Sequence, residues 1–268
     1  MSRIEFRILG PTQLIIDGVQ VAVPGRKLQA IFAVLALRAG AEVRRDELIE
    51  ELNLLRSTEN AANTLHAHMA RLRRWLHRHV GDATVLESTS AGYQLGVPRS
   101  AVDAHRFVTH LEQAMSLAPL VPSVVAAILE EGLGLWRGDA LSDVADGPLA
   151  AAAADDLHQL RRTAREILLD AWIMLGEDRR VIMNAKRFIG DNPLNERMRV
   201  QLMTALHRAG RHAEAVEAYK SAERVLREEL GVGPGDGLRE AFASTIRNSS
   251  KRNSRLYHSE YLTNSAEL

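Results

Sequence analysis

Residues 61–79 read AANTLHAHMARLRRWLHRH, and the reading of this stretch decides the fold. Leu65, Met69, Leu72 and Leu76 fall at i, i+4, i+7 and i+11, which places them on one apolar stripe of a helix. At about 100° per residue the opposite face carries Asn63, Ala67, Ala70, Arg71, Arg74 and Arg78. Alanine lets a helix backbone approach a surface, and arginine forks to guanine O6/N7 or to phosphate. Asn63 has the donor and acceptor pair that adenine requires. From Arg56 to His79 there are five arginines against one glutamate, with His66, His68, His77 and His79 among them. The chain as a whole has 34 basic and 34 acidic side chains, so positive charge is concentrated where a phosphate backbone would feel it. On this helix alone, a merely solvated arginine face competes with DNA reading.

The neighbouring elements favour DNA. Phe6, Ile8 and Leu9 lead into Gly10-Pro11. Leu14-Ile15-Ile16 and Val19 to Val23 flank Asp17-Gly18, a strong hairpin signal. Helical spacing follows from Arg26 to the stop at Gly40, then from Asp46 to Leu52. Asn53 to Asn60 is polar and reads as a loop before the basic helix. Gly81-Asp82 ends that helix. Val85 to Ser88 and Tyr93 to Val97 then flank Ser90-Ala91-Gly92 as a second hairpin. A sheet, three helices with the third basic, and a hairpin make the plan of a winged helix-turn-helix, whose recognition helix enters the major groove.

Beyond the boundary at Pro98 to Ser100, helix patterns alone recur, broken at Pro119, Gly138, Gly147-Pro148, Gly176, Asn192-Pro193, Gly210 and Gly231 to Gly237. Gly176 and Gly210 are 34 residues apart, the tetratricopeptide period. In that register Ala215, Tyr219 and Ala222 occupy second-helix positions, and Pro193 the terminal proline. The expected fold is mainly α with small β elements: a winged helix-turn-helix at 1–98, then an all-α tetratricopeptide-like domain at 101–247. The polar tail, 248–268, is expected to be disordered or ordered only by a partner. Aromatic residues at 4% agree with helices packed on helices rather than a large sheet.

Several chemistries are excluded. The absence of cysteine removes thiol nucleophiles, disulfides and thiolate metal sites. No Walker-type loop or nucleophile elbow occurs. His66 and His68, like His77 and His79, point about 200° apart on a helix and cannot chelate one ion. His158, His207 and His212 read as surface or packing residues, and Trp136 and Trp172 as core anchors. No catalysis, cofactor or metal is expected. The stretch Leu117 to Leu129 contains two prolines and is too short to span a bilayer, and residues 1–10 carry no signal-peptide run. A cytoplasmic chain without membrane contact is expected.

An ordered set of stretches runs from Ile4 to Ile246. It comprises Ile8-Leu9-Gly10-Pro11, Asn63-Thr64-Leu65 with Arg71-Leu72-Arg73-Arg74, Ala91-Gly92-Tyr93, Val102 to Phe107, Leu135 to Gly138, Ala205 to Arg211 with Glu214-Ala215 and Tyr219, and Glu228 to Pro234. This set resembles the Streptomyces antibiotic regulatory proteins, pathway-specific activators of secondary metabolism. Their first domain is similar to the OmpR/PhoB winged helix, and their second is the bacterial transcriptional activation domain. The resemblance implies that His68 and Tyr93 touch phosphates and that Arg71 and Arg73 reach bases; Thr64 joins the set through the matched stretch. The helical wheel instead favours Arg74 and puts Arg73 at the flank. The resemblance also implies direct repeats in double-stranded promoter DNA, a second copy on the DNA, and contact with RNA polymerase and its principal sigma factor through Asn53, Leu54, Leu55 and Arg56. Two departures stand out: Thr89 replaces a wing arginine common in relatives, and Asn53-Leu54 with Ser57-Thr58 replaces a Trp-Gly pair and two prolines. A tetratricopeptide-like scaffold for peptides, and a ligand-gated repressor with the same DNA module, are the competing functions.

Overall fold

The computed structural model describes residues 4–57, 60–81 and 85–247. The expected tail at 248–268 lies outside the described residues. Strands β1 (Ile4–Arg7), β2 (Gln13–Ile16) and β3 (Val19–Val21) form an antiparallel sheet in that order, with Ile4 opposite Ile16 and Leu14 opposite Val21. Asp17 and Gly18 both have positive φ, 50° and 84°, as the two-residue turn of a hairpin demands.

Helix α1 (Arg26–Leu37) leads to strand β4 (Glu42–Arg44) and helices α2 (Arg45–Glu51), α3 (Leu54–Ser57) and α4 (Ala61–Val80). Strands β5 (Leu86–Ser88) and β6 (Gly92–Leu95) complete a second sheet in the order β4-β6-β5. Two features depart from the sequence reading. Asn53–Asn60 is not a plain loop, because α3 occupies its first half. Strand β4 was not foreseen: three residues between two helices carry too little pattern, and only the pairing with β6 makes them a strand. That pairing depends on Gly92, where a Cβ would sit 1.9 Å from the Val43 carbonyl oxygen.

Helices α5 (Asp103–Leu117), α6 (Pro122–Gly134), α7 (Pro148–Met174), α8 (Asp178–Asp191), α9 (Glu196–Arg208) and α10 (His212–Leu230) follow, and residues 236–247 are helical. The chain packs as two compact units. Among the described residues, one holds those up to Ser116 with Ala127–Ala164; the other holds Leu117–Ala126 and residues 165–247.

In the first unit Phe6 stacks on Phe32 at 5.1 Å, and Phe32 meets Trp75 edge-on at 6.2 Å, which seats α4 on α1. Packing runs through the expected boundary at Pro98 to Ser100. The buried Asp103 carboxylate accepts the Ile8 amide at 2.8 Å and the Leu9 amide at 3.1 Å. In return the Leu9 and Ile8 carbonyls accept the amides of Arg137 and Leu141 at 2.8 and 2.9 Å. The backbone amides and carbonyls of Ile8 and Leu9, just past β1, are thereby satisfied from the helical half of the sequence. Phe107 and Trp136 pack edge-on at 5.3 Å, and Trp136 is a core residue as expected.

In the second unit the 34-residue repeat is geometric. Gly176 and Gly210 adopt φ of 75° and 74°. The following amides, of Glu177 and Arg211, close on the Trp172 and Leu206 carbonyls at 2.9 and 2.8 Å. Both are Schellman-type helix ends, in which a left-handed residue lets the chain reverse. Ala215 and Ala222 are fully buried, and Tyr219 stacks on Phe242 at 4.1 Å. The small and aromatic residues therefore sit where the repeat needs them.

Candidate nucleic-acid interface

Helix α4 starts at Asn60, whose side chain accepts the Asn63 amide at 3.1 Å, while the Thr64 hydroxyl donates to the Asn60 carbonyl at 3.0 Å. Its first turn contains no acidic residue, so the positive end of its dipole is not opposed from within the helix. Leu65, Met69, Leu72 and Leu76 are buried, joined by Trp75. Asn63, Ala67, Ala70, Arg71, Arg74 and Arg78 are all exposed. The face inferred from spacing is thus the face that the fold leaves to solvent.

The arginines on this helix differ. Arg71 is exposed, with its guanidinium close enough to His68 to help depress that imidazole's pKa. Burial is the main cause of that depression, Arg71 the second and Lys27 the third. The His68 Nδ1 is buried and has no hydrogen-bond partner among the described residues. Arg74 is exposed and only leans on its own helix, with Nε 3.4 Å from the Ala70 carbonyl. Arg73 is half-buried and committed: its Nε donates to the Leu86 carbonyl at 3.1 Å and its Nη2 to the Ser88 hydroxyl at 3.0 Å. Both partners lie on β5, so Arg73 is a strut between helix and wing.

The wing is closed rather than reaching. The Thr89 hydroxyl accepts the Gly92 amide at 2.9 Å, and the Thr89 amide donates to the Gly92 carbonyl at 3.1 Å. Arg45 holds the same turn through the carbonyls of Ser90 and Thr89 and lies 5.8 Å from the centre of the Tyr93 ring. Tyr93 itself is 4% exposed. Sequence reasoning missed Arg45, whose only signal was a basic residue before the acidic first turn of α2.

Between α2 and α4, Asn53 adopts a left-handed φ of 52° and the Leu52 carbonyl accepts the Lys27 ammonium. Leu54 and Leu55, both named for the polymerase contact, do not share a surface. Leu54 is 2% exposed and Leu55 76%, because consecutive positions on α3 diverge by about 100° and only one can face the core. Arg56 falls within α3, and its side chain lies outside the described part of the structure.

A family model described as "Bacterial transcriptional activator domain" matches residues 102–246. The transcriptional regulator RedD of Streptomyces coelicolor is 34% identical over 246 residues, covering 91% of this chain and 70% of RedD. The regulatory protein DnrI of Streptomyces peucetius is 29% identical over 250 residues, covering 91% of this chain and 92% of DnrI. Among solved structures, Mycobacterium tuberculosis EmbR in complex with a low-affinity phosphopeptide superposes with a TM-score of 0.86 at 28% identity. That match covers 92% of this chain and 66% of the EmbR chain.

Proposed function

The chain belongs to the Streptomyces antibiotic regulatory protein family of transcriptional regulators, and from that premise we propose that it is a sequence-specific activator of secondary-metabolite genes. The winged module, 1–98, docks on direct repeats in promoter DNA, and the helical module, 101–247, completes the regulator. The observation that carries this reading is the exposed Asn63, Ala67, Ala70, Arg71, Arg74 and Arg78 face, opposite a fully buried stripe. Asn63, Arg71 and Arg74 are assigned to base edges, and Thr64, His68 and Tyr93 to the phosphate side. Arg73 keeps the wing in register with the helix.

Activation then needs no catalysis. Leu55, exposed on α3, faces RNA polymerase and its principal sigma factor from the segment that also holds Asn53 and Arg56, while Leu54 anchors that segment in the core. One scaffold holding both DNA and polymerase raises promoter occupancy above what either contact gives alone. Two copies bind head to tail on the repeats. Among the described residues no helix is long and apolar enough to cross a membrane, and we place the protein in the cytoplasm.

Footprinting on the promoters nearest its own gene, with and without RNA polymerase holoenzyme, tests the proposal. Protection of a direct repeat that strengthens and extends with polymerase is the expected result. Protection that excludes polymerase would identify a repressor, and no salt-dependent protection at all would remove the DNA reading.

A further inference from the structure

A second cationic cluster lies away from α4. A cavity of about 330 Å³ sits against the turn Arg99–Ala101 and α5, lined among others by Arg99, Ser100, His105, Arg106 and Thr109. His110 also borders it but has a counter-charge in Glu131 at 3.7 Å. Glu112 is the single acidic residue of the lining. Among the described residues, neither Arg99 nor Arg106 has a carboxylate partner, and the His105 Nε2 is buried without a hydrogen-bond partner.

His105 is placed between two influences. Burial above all, and then the Arg99 charge, disfavour its imidazolium, while the backbone carbonyls of Ala36 and Leu37 at the end of α1 favour it. A half-buried imidazolium beside the unneutralised Arg99 guanidinium is disfavoured as it stands, and a bound anion would favour it. The volume suits a small molecule, and a guanidinium fork pairs two N–H donors with two phosphate oxygens.

We propose that this cavity is an effector site for a small phosphate monoester, gripped by Arg99 and Arg106 beside the His105 imidazole. His105 takes a proton from solvent and is then stabilised on both sides, by the ligand and by the α1 carbonyls. Because α1 carries Phe32, which packs on Trp75 of α4, the site has a route to the recognition helix. That regulatory consequence rests on the DNA-binding reading; the binding site itself does not.

The test uses the full chain carrying Arg71→Ala and Arg74→Ala, so that the α4 face does not contribute. Inorganic phosphate is titrated against chloride at matched ionic strength. Expected are a saturable rise in the melting midpoint and a shift of the His105 imidazole nitrogen resonance toward the charged form. Adding Arg99→Gln and Arg106→Gln should weaken phosphate binding at least tenfold with the phosphate-free melt retained. If that variant does not fold, Arg106→Gln alone must reduce the affinity. A midpoint rise matched by chloride, or one that survives loss of both arginines, overturns the site. Displacement of phosphate from His105 by duplex DNA would identify a backbone contact and also overturn it. DNA affinity of the otherwise unchanged Arg99→Gln, Arg106→Gln chain is measured separately. Intact DNA binding with lost phosphate binding separates the two readings.

Discussion

The Glu51 carboxylate, at the last residue of α2, accepts the Leu149 amide at 2.7 Å, 98 residues further along the chain. It also accepts the Ala150 amide at 3.2 Å, so it caps the first turn of α7. Gly147 leaves the room: a Cβ there would lie 2.2 Å from the Glu51 carboxylate. The last residue of α2 thus serves as the cap of a helix in the other half of the sequence.

Replacing Glu51 tests that cap. Glu51→Ala orphans two amides and should cost about 1–3 kcal/mol for each that stays buried. Burial raises the Glu51 pKa above its ordinary value of 4.5, against the two amides, which pull it down. With the folded value above the unfolded one, the folded state holds the proton more tightly. The resulting contribution is complete below pH 4.5 and is lost as pH rises through the folded value. Denaturant unfolding should therefore show the parent losing stability relative to Glu51→Gln as pH climbs above 4.5. A parallel pair of pH curves would show that the carboxylate does not titrate in that window.

Arg71, Arg73 and Arg74 should separate by phenotype. Arg71→Ala or Arg74→Ala should cost about 1–3 kcal/mol on the specific site and relax its base preference. Arg73→Ala should instead weaken specific and random duplexes alike, because what it loses is the tie to Leu86 and Ser88. Ser88→Ala should add little to Arg73→Ala in a double-mutant cycle. Base-specific loss in Arg73→Ala would return that residue to the reading face.

Leu54 and Leu55 should part in the same way. Leu55→Ser removes an exposed apolar side chain, so melting and DNA affinity should hold while activation in a purified transcription assay falls. Leu54→Ser removes a core residue and should cost about 2–5 kcal/mol of stability. Full activation by a stable Leu55→Ser protein would take α3 out of the polymerase contact.

Most of α4 was legible because an amphipathic helix prints its period in the sequence; Leu65 to Leu76 and Asn63 to Arg78 landed on the faces that spacing assigned them. The turn at Asp17-Gly18 and the repeat at Gly176 and Gly210 were legible because left-handed backbone selects few residue types. What stayed hidden depends on partners distant in sequence. Nothing near Arg73 announces Ser88, nothing near Glu51 announces Leu149, and Asp103 gives no sign that it collects the amides of Ile8 and Leu9. For the same reason β4 exists only through β6, and Leu54 is told from Leu55 only once α3 has an orientation.

Tandem binding has a direct test in the operator. A head-to-tail pair reads two half-sites in one orientation, whereas a two-fold pair would need a palindrome. Inverting one half-site should abolish cooperative binding, measured by mobility shift over a titration of the protein. Tighter binding to the inverted site would replace the tandem arrangement with a symmetric dimer.

The joint between β1 and the helical half predicts that the DNA module is weakened when cut out. A fragment of residues 1–98 keeps α1, α4 and both sheets but loses Asp103, Arg137 and Leu141. Phe6, Ile8 and Leu9, all fully buried in the whole chain, lose part of their cover. Water can replace the lost hydrogen bonds at the Ile8 and Leu9 amides, so the main loss is apolar burial, about 1.5–3 kcal/mol for each side chain fully re-exposed. In a domain of this size each kcal/mol moves the melting midpoint by roughly 4–8 °C. The fragment should therefore melt at least about 10 °C below residues 1–247 and bind the specific duplex more weakly, since β1 braces Phe32 and Phe32 braces Trp75 of α4. Restoring Asp103 alone, as a 1–117 fragment that includes α5, should recover part of the midpoint. Equal melting of the 1–98 and 1–247 chains would show that β1 is held by its own sheet and that the Asp103 contacts add nothing to the DNA-binding module.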